Sequence, residues 1–347
     1  MDEARNHARS ILAEVSFGKN PHDEEKARKA KLITLSESLD DYIKTRVNLK
    51  ESTIQDYRRT FKYYLGDWLN KPLIEISKDM VEAKFRKIGE DTPSQANKTM
   101  RNFRAIVNYA MVKYEDSNGD SIFKTNPVSR LTQLRSWYRV NRRNTLIKHY
   151  DLAPWYSAVM NLKNDTIAPN REAVRDFLLL VLFTGLRRNE AANLTWSRID
   201  FKDKTLIVTD TKNHTDHTLP LTTFLYDLLE ERKSKATTPY VFANELGKGG
   251  LTDPKKQIRN VVNESGVSFT VHDLRRTFIT IAESLDISAY ALKRLLNHKM
   301  TNDVTAGYII RDVERLRAPM QKITDYMLSC IGVKVTPVIQ LQVNKVS

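Results

Sequence analysis

The sequence predicts a mainly α fold with a small antiparallel β-sheet, an α+β arrangement. Apolar residues recur at three- and four-residue intervals through most of the chain, which is the spacing of amphipathic helices. Glycine and proline are sparse, with eleven of each among 347 residues, so few of these helices are interrupted. At 205–221 two short apolar runs instead flank a polar turn, which is typical of a β-hairpin.

Length, charge and cysteine content limit the class of protein. A chain of 347 residues is long enough for two domains with their own cores. The net charge of +14 and the pI of about 9.6 favour a polyanionic partner, either nucleic acid or a membrane surface. No run of 18 apolar residues occurs, and the charged N-terminus lacks the apolar segment of a signal peptide. The single Cys330 excludes an intramolecular disulfide and fits a reducing cytoplasm.

The first third of the chain predicts helices. We expect a helix and a charged connector in 1–31, and four helices in 32–125. The second of the four would open with a capping box at Ser52, the third with a Ser77 cap, and the fourth with Pro93. The fourth helix carries cations on its less apolar side, which suit either a solvated face or a polyanion: Lys98, Arg101 and Arg104.

Residues 126–144 predict a basic linker between two domains. The stretch contains no acidic residue, so its like charges favour an extended chain. Laid along a duplex, such a segment neutralises phosphates and makes binding depend steeply on salt concentration. Its candidate phosphate contacts are Arg139, Arg142 and Arg143.

Residues 145–330 predict a larger domain. Helices are expected at 151–161 and 172–194, and Gly185 interrupts the second just before Arg187. Glu190 lies three residues beyond Arg187, so its carboxylate either orients that guanidinium or belongs to a surface pair.

The predicted hairpin carries Lys212 in its turn, between strands 205–209 and 217–221. A lysine there is ordinarily a solvated charge, although its long side chain can also reach a phosphate. His214 and His217 have a metal-like spacing without further ligands to complete a site, so we expect both on the hairpin surface.

The rest of the domain predicts helices at 223–235, 253–264 and 312–331, with a buried connector at 240–242. The helix at 253–264 presents cations that suit a nucleic-acid surface: Lys255, Lys256 and Arg259. The tail 331–347 alternates in strand fashion, which favours pairing with a sheet edge of its own or a neighbouring subunit.

An unusual set of polar residues falls between 272 and 308. His272 and Arg275 are three apart on a predicted helix, so both project from one face. His298 follows the next predicted helix, and Tyr308 lies on a third. Arginine binds phosphate in a bidentate manner, histidine exchanges protons near neutral pH, and a tyrosine hydroxyl is a possible nucleophile. This combination points to phosphoryl transfer at a diester without a metal ion.

These residues resemble the tyrosine recombinase (phage integrase) family. The resemblance lies in Thr184-Gly-Leu-Arg187-Arg-Asn-Glu190, in His272-x-x-Arg275, and in His298 and Tyr308. The family's two-domain layout fits roughly 32–330. The resemblance implies a helical core-binding domain at 32–125, a catalytic domain at 145–330, and a catalytic set of Arg187, Lys212, His272, Arg275, His298 and Tyr308.

The resemblance further implies a site-specific integrase that forms a 3′-phosphotyrosyl intermediate on DNA attachment sites. It implies a homotetramer on DNA in the cytoplasm of a bacterial host, no cofactor or metal, and an excisionase or host bending protein as accessory partner. The tail would dock onto an adjacent subunit of the tetramer. Asn297 stands where the family more often has glycine, which should affect local geometry.

Two alternative functions remain open from the sequence. A type IB topoisomerase uses a similar set of residues, and a DNA-binding module without activity would share the basic surface. The family's arm-binding domain has no counterpart in this sequence, so we expect either a truncated front end or a member that lacks that domain.

Overall fold

The computed structural model describes residues 5–6, 9, 21–116, 119–163, 170–209, 216–298 and 312–333. The chain divides into two compact units, Met1–Arg142 and Arg143–Ser347. Each unit has its own cluster of buried apolar side chains. No helix among the described residues is long and apolar enough to cross a lipid bilayer.

The first unit is helical. Its helices are α1 (Pro21–Leu32), α2 (Leu35–Thr45), α3 (Glu51–Tyr64), α4 (Lys78–Asp91), α5 (Pro93–Lys113) and α6 (Ser129–Gln133). The charged segment expected as a connector before residue 32 is therefore helical in part. Large side chains from α3, α4 and α5 fill the core, among them Phe61, Phe85, Met100 and Phe103.

The helix starts of this unit test the predicted caps. The Ser77 hydroxyl accepts a hydrogen bond from the Met80 amide, and Pro93 is the first residue of α5, as predicted. The capping box predicted at Ser52 is wrong, because α3 begins at Glu51 and its N-cap Lys50 makes no side-chain cap bond. A serine inside the first turn no longer faces the unpaired amides that a cap satisfies.

Part of the stretch expected as a linker, 126–144, is packed into the first unit. Leu131 on α6 is buried, and Tyr138 stacks on Phe85 with 4.8 Å between ring centroids. The Asn97 side chain bonds both the carbonyl and the amide of Tyr138, at 2.9 and 3.2 Å. A Cβ on Gly89 would lie 2.2 Å from the Tyr138 ring, so only glycine admits this packing. Residues 139–144, at the end of this stretch, are all exposed.

The second unit is α+β. Its helices are α7 (Leu152–Met160), α8 (Arg171–Thr184), α9 (Arg188–Ala192), α10 (Thr223–Ser234), α11 (Lys255–Ser265), α12 (Val271–Ser284), α13 (Ala289–Leu295) and α14 (Glu314–Ile331). Helix α8 is buried along nearly its whole length and lies at the centre of the core. The buried connector predicted at 240–242 is confirmed for Val241 and Phe242.

The sheet is small and antiparallel. Strand β2 (Thr205–Val208) pairs with β3 (His217–Pro220), as the hairpin prediction requires, and Val208 faces His217 across the pair. A further strand, β1 (Ile199–Asp200), pairs with β2 on its other edge and was not predicted, because two residues carry no readable alternation. The predicted fold class is confirmed. The tail beyond residue 333 lies outside the described residues.

Candidate active site

The turn after α8 is fixed by one glycine. Gly185 ends the helix in the left-handed conformation, with φ of 65°, and its amide bonds the Val181 carbonyl. An added Cβ would lie 2.6 Å from the Phe278 ring on α12. Glycine is required at position 185 for two reasons: the positive φ and the close approach of α12. The turn brings Arg187 to the face where α12 packs.

Glu190 fixes the position of Arg187 through two hydrogen bonds. Its carboxylate accepts the Arg187 backbone amide at 2.9 Å and the guanidinium Nη1 at 2.8 Å. The Glu190 side chain is 9% exposed, so this pair is largely shielded from water. This pairing fixes the direction in which the remaining donors of the Arg187 guanidinium point. Orienting Arg187 is one of the two roles that the sequence leaves open for Glu190.

The N-terminus of α12 is anchored through Asp273. Its carboxylate accepts the amide and hydroxyl of Thr270, at 2.8 and 2.7 Å, and the hydroxyl of Thr145 at 2.7 Å. Arg276 donates to the same carboxylate. Burial opposes the charge of Asp273, but these hydrogen bonds outweigh it and lower the pKa of the carboxyl. His272 lies in this anchored first turn with its side chain exposed.

Arg275 is a buried guanidinium that joins three segments. The residue is 4% exposed. Nη1 donates to the Gly185 carbonyl, and Nη2 donates to the Leu296 carbonyl at 2.9 Å and to His298 Nε2 at 3.1 Å. Burial, and then the nearby Arg187, lower the pKa of Arg275 to about 10, so it stays charged at neutral pH. A buried charge is stable only when hydrogen-bonded, which these acceptors provide.

His298 is the last residue of a Schellman turn at the end of α13. The His298 amide bonds the Lys293 carbonyl at 2.9 Å, and the Asn297 amide bonds the Arg294 carbonyl at 3.1 Å. Asn297 has φ of 49°, the left-handed conformation that glycine usually supplies at this position. Asparagine tolerates it better than other residues with a Cβ, which explains the departure noted in the sequence.

Both exposed imidazoles favour the neutral form. Burial, Arg276 and Arg275 lower the pKa of His272, and burial, Arg275 and Arg187 lower the pKa of His298. Because His298 Nε2 accepts from Arg275, the proton of its neutral ring is at Nδ1. Two neutral imidazoles therefore flank two guanidiniums.

His217 differs from its prediction. It was expected on the hairpin surface, but it is 6% exposed, and its Nε2 donates to the Arg294 carbonyl at 2.9 Å. The first residue of β3 faces the core because the strand packs against the helices on that side. The neighbouring His214 lies outside the described residues, as do Lys212 and Tyr308.

The candidate DNA contacts of the first unit differ in how free their charge is. Lys98 is paired with Asp56 at 2.6 Å, and Arg59 binds the same carboxylate. Arg101 and Arg104 are exposed and lie over the Trp137 ring, 5.6 and 5.9 Å from its centroid. Lys98 therefore contributes less uncompensated charge than the two arginines.

The other candidate DNA contacts are exposed: Arg139, Arg142, Arg143, Lys255, Lys256 and Arg259. Among them, Lys255 has an acidic neighbour, Asp253, at 3.3 Å. Within the described ranges, no group of three histidine, cysteine, aspartate or glutamate side chains converges as a metal site would require.

Sequence reasoning missed Asp273, Thr145 and His217. The Thr270-x-x-Asp273 spacing is a capping signal that could have revealed the first. Thr145 is 128 positions from its partner, and the Arg294 carbonyl is 77 positions from His217, so no local pattern predicts either contact.

Comparisons with known proteins show what the second unit is similar to. Residues 156–315, which lie in the second unit and include the Gly185 turn and α12, match the family model described as phage integrase family. Over this range the second unit is therefore similar to the phage integrase family. The prophage integrase IntF of Escherichia coli (strain K12) is 24% identical over 306 residues, which cover 85% of this chain. The chain spans 63% of the length of that phage integrase.

Solved structures of phage integrases share the fold. A lambda integrase fragment, crystallised as a dimer bound to a COC′ core site, matches with a TM-score of 0.60 at 20% identity, covering 78% of this chain and 97% of that one. A lambda integrase tetramer bound to a Holliday junction matches with a TM-score of 0.61 at 20% identity, covering 85% and 87%.

Proposed function

We propose that this protein is a site-specific DNA recombinase, an integrase that cleaves and rejoins DNA through a 3′-phosphotyrosyl intermediate. The observation that carries the proposal is the convergence of Arg187 and Arg275, with His272 and His298 beside them, in a phage integrase fold. Two fixed guanidiniums suit a phosphodiester, whose non-bridging oxygens gain negative charge during attack.

The proposed reaction divides the roles among the candidate residues. The Tyr308 hydroxyl attacks the scissile phosphorus, a new phosphotyrosyl bond forms, and the bond to the 5′ oxygen breaks. A phenol with a pKa of about 10 is mostly protonated at neutral pH, so a base is needed. His272, neutral and exposed, accepts that proton, and Lys212 donates one to the departing 5′ oxygen.

The other three groups act on the phosphate. Arg187, oriented by Glu190, and Arg275, fixed by two backbone carbonyls, stabilise the charge of the transition state. His298 donates a hydrogen bond to a non-bridging oxygen. The diester energy is conserved in the tyrosyl link, and the 5′ hydroxyl of a partner strand reverses the reaction without ATP.

The proposed substrate is a double-stranded attachment site, bound by a homotetramer. The net charge of +14 and the exposed cations of both units support a polyanionic partner. The lambda integrase structures, with a core site and with a Holliday junction, support DNA and a tetramer. An excisionase or a host bending protein would set the direction of the reaction.

A covalent trap tests the proposal. A nicked duplex that carries a candidate attachment site is incubated with the protein in EDTA and run on a denaturing gel. A slower band with the wild type and none with Tyr308→Phe is expected. Native-gel retardation of both proteins without any covalent band would contradict the proposal and favour a binding module.

Exchange of strands completes the test. Two labelled duplexes should yield recombinant products with the wild type. Relaxation of supercoiled DNA without exchange would instead indicate a swivelling topoisomerase.

A further inference from the structure

His217 is a buried imidazole next to the catalytic arginines that has no role in the proposed reaction. It begins β3, and its side chain reaches from the sheet to the turn that carries His298. The charge of Glu190 raises the pKa of its imidazole, and the charges of Arg275 and Arg187 lower it. Buried polar side chains are costly unless they are hydrogen-bonded, so this position calls for a reason.

The hydrogen bond of His217 ends on a particular carbonyl. Arg294 is the residue whose carbonyl closes the Schellman turn by accepting the Asn297 amide at 3.1 Å. The same carbonyl accepts His217 Nε2 at 2.9 Å. His217 therefore holds this turn from the side of the sheet, four residues before His298.

Arg275 holds the same turn from α12. It donates to the Leu296 carbonyl and to His298 Nε2. The turn is thus fixed by one side chain from the sheet and one from the helix. Arg275 also binds the phosphate in the proposed reaction. A second hydrogen bond to the turn, from His217, keeps the turn fixed while Arg275 binds substrate.

The environment keeps His217 in the form that this role requires. Burial lowers its pKa to about 4, with Arg275 and Arg187 adding to the effect, so the ring is neutral at neutral pH. With the proton at Nε2, the ring donates to the carbonyl and adds no charge beside the guanidiniums.

We propose that His217 is a positioning residue that holds the 293–298 turn, and with it His298, in the geometry for phosphate binding. The inference rests on the proposed recombinase activity. A side chain displaced by about 1 Å is enough to slow a reaction by ~100-fold, so loss of this bond should slow cleavage without weakening DNA binding.

Three variants separate positioning from simple structural support. His217→Leu removes the donor, whereas His217→Gln keeps an amide donor at a similar distance from the main chain. Leu219→Ala is the matched control, because Leu219 lies on the same strand, is fully buried, and has no bond to the turn. Each is assayed for melting temperature, affinity for the duplex, and the single-turnover rate of covalent complex formation.

We expect His217→Leu to cleave ~10- to 100-fold more slowly with unchanged affinity, and His217→Gln to recover to within a few-fold of wild type. Leu219→Ala should lower the melting temperature at least as much while cleaving near the wild-type rate. Equal rates for His217→Leu and Leu219→Ala, or a failure of His217→Gln to recover, would overturn the inference.

A double-mutant cycle identifies the group through which His217 acts. His217→Leu added to His298→Ala should cost little beyond His298→Ala alone, because the turn then carries no imidazole to position. Fully multiplicative losses would place the effect elsewhere and refute the inference. A wild type that forms no covalent complex would instead refute the proposed function, so the two failures are distinguishable.

Discussion

Arg275 in the second unit and the pair Arg101 and Arg104 in the first unit occupy opposite environments. Arg275 in the second unit is 4% exposed and donates to two backbone carbonyls and an imidazole. Arg101 and Arg104 in the first unit are exposed, and their guanidiniums lie over the face of Trp137. A buried guanidinium acts through its position, because its surroundings allow only one. An exposed guanidinium acts through its charge, which salt screens.

The largest expected effect concerns the buried arginine. Arg275→Lys should lower the rate of covalent cleavage by ~100- to 1000-fold, because one ammonium cannot replace a planar guanidinium that donates in several directions. Affinity for the duplex should change little. Arg198→Lys, at an exposed position of the same unit, is the control and should leave the rate unchanged. A loss below ten-fold would contradict the assigned role of Arg275.

The second prediction concerns the glycine whose carbonyl Arg275 binds. Gly185→Ala should lower the free energy of unfolding by roughly 2–5 kcal/mol, because it adds left-handed strain and a clash with Phe278. Urea denaturation measures the change. Gly266→Ala is the matched control, since Gly266 has φ of 70° and open space around it, so it should lose only about 1 kcal/mol. Equal losses in the free energy of unfolding for the two variants would contradict the clash with Phe278.

Acid should destabilise the site through His217. Its pKa is lowered from 6.5 to about 4 in the folded protein, so the unfolded chain takes up a proton first as the pH falls. The contribution of neutral His217 to the free energy of unfolding is therefore complete above pH 6.5. It is lost as the pH falls towards 4, by at most about 3 kcal/mol. His217→Gln does not titrate, so denaturation curves across this range should fall less steeply for it. Parallel curves would contradict the low pKa.

The effect of the exposed cations on DNA affinity should depend on the number of uncompensated charges. Arg101→Ala and Arg104→Ala should each reduce the slope of log affinity against log salt by about 0.9. Lys98→Ala should reduce it less, because Asp56 already neutralises that lysine. Binding titrations at several salt concentrations measure the slope, and a larger effect of Lys98 than of the arginines would reverse the assignment.

The smallest effect is expected at the turn before His298. Asn297→Ala should cost about 1 kcal/mol, whereas Asn297→Gly should be neutral or slightly stabilising, because glycine adopts the left-handed conformation without strain. Thermal denaturation compares the two. An alanine variant as stable as the glycine variant would show that this conformation is not maintained.

Local patterns predicted most helices and the hairpin. The interruption at Gly185 and the caps at Ser77 and Pro93 are local events, so the chain reveals them within a few residues. The prediction at Ser52 was wrong because the helix starts two residues earlier, with Lys50 as its N-cap, and a shift of this size is enough to move the cap. The packing of Tyr138 on Phe85 was not predicted, because it joins positions that are distant in the sequence.

The sequence by itself determined the residue types of the candidate site and their order. Its helical spacing also placed His272 and Arg275 on one face of α12. Only the tertiary structure decided that Arg275 meets Gly185, Leu296 and His298, and that His217 is buried against the Arg294 carbonyl. Periodicity shows which face of an element is apolar, but it does not show which distant carbonyl lies opposite. That pairing follows from the close packing of α8, α12, α13 and β3, in which buried donors must find an acceptor.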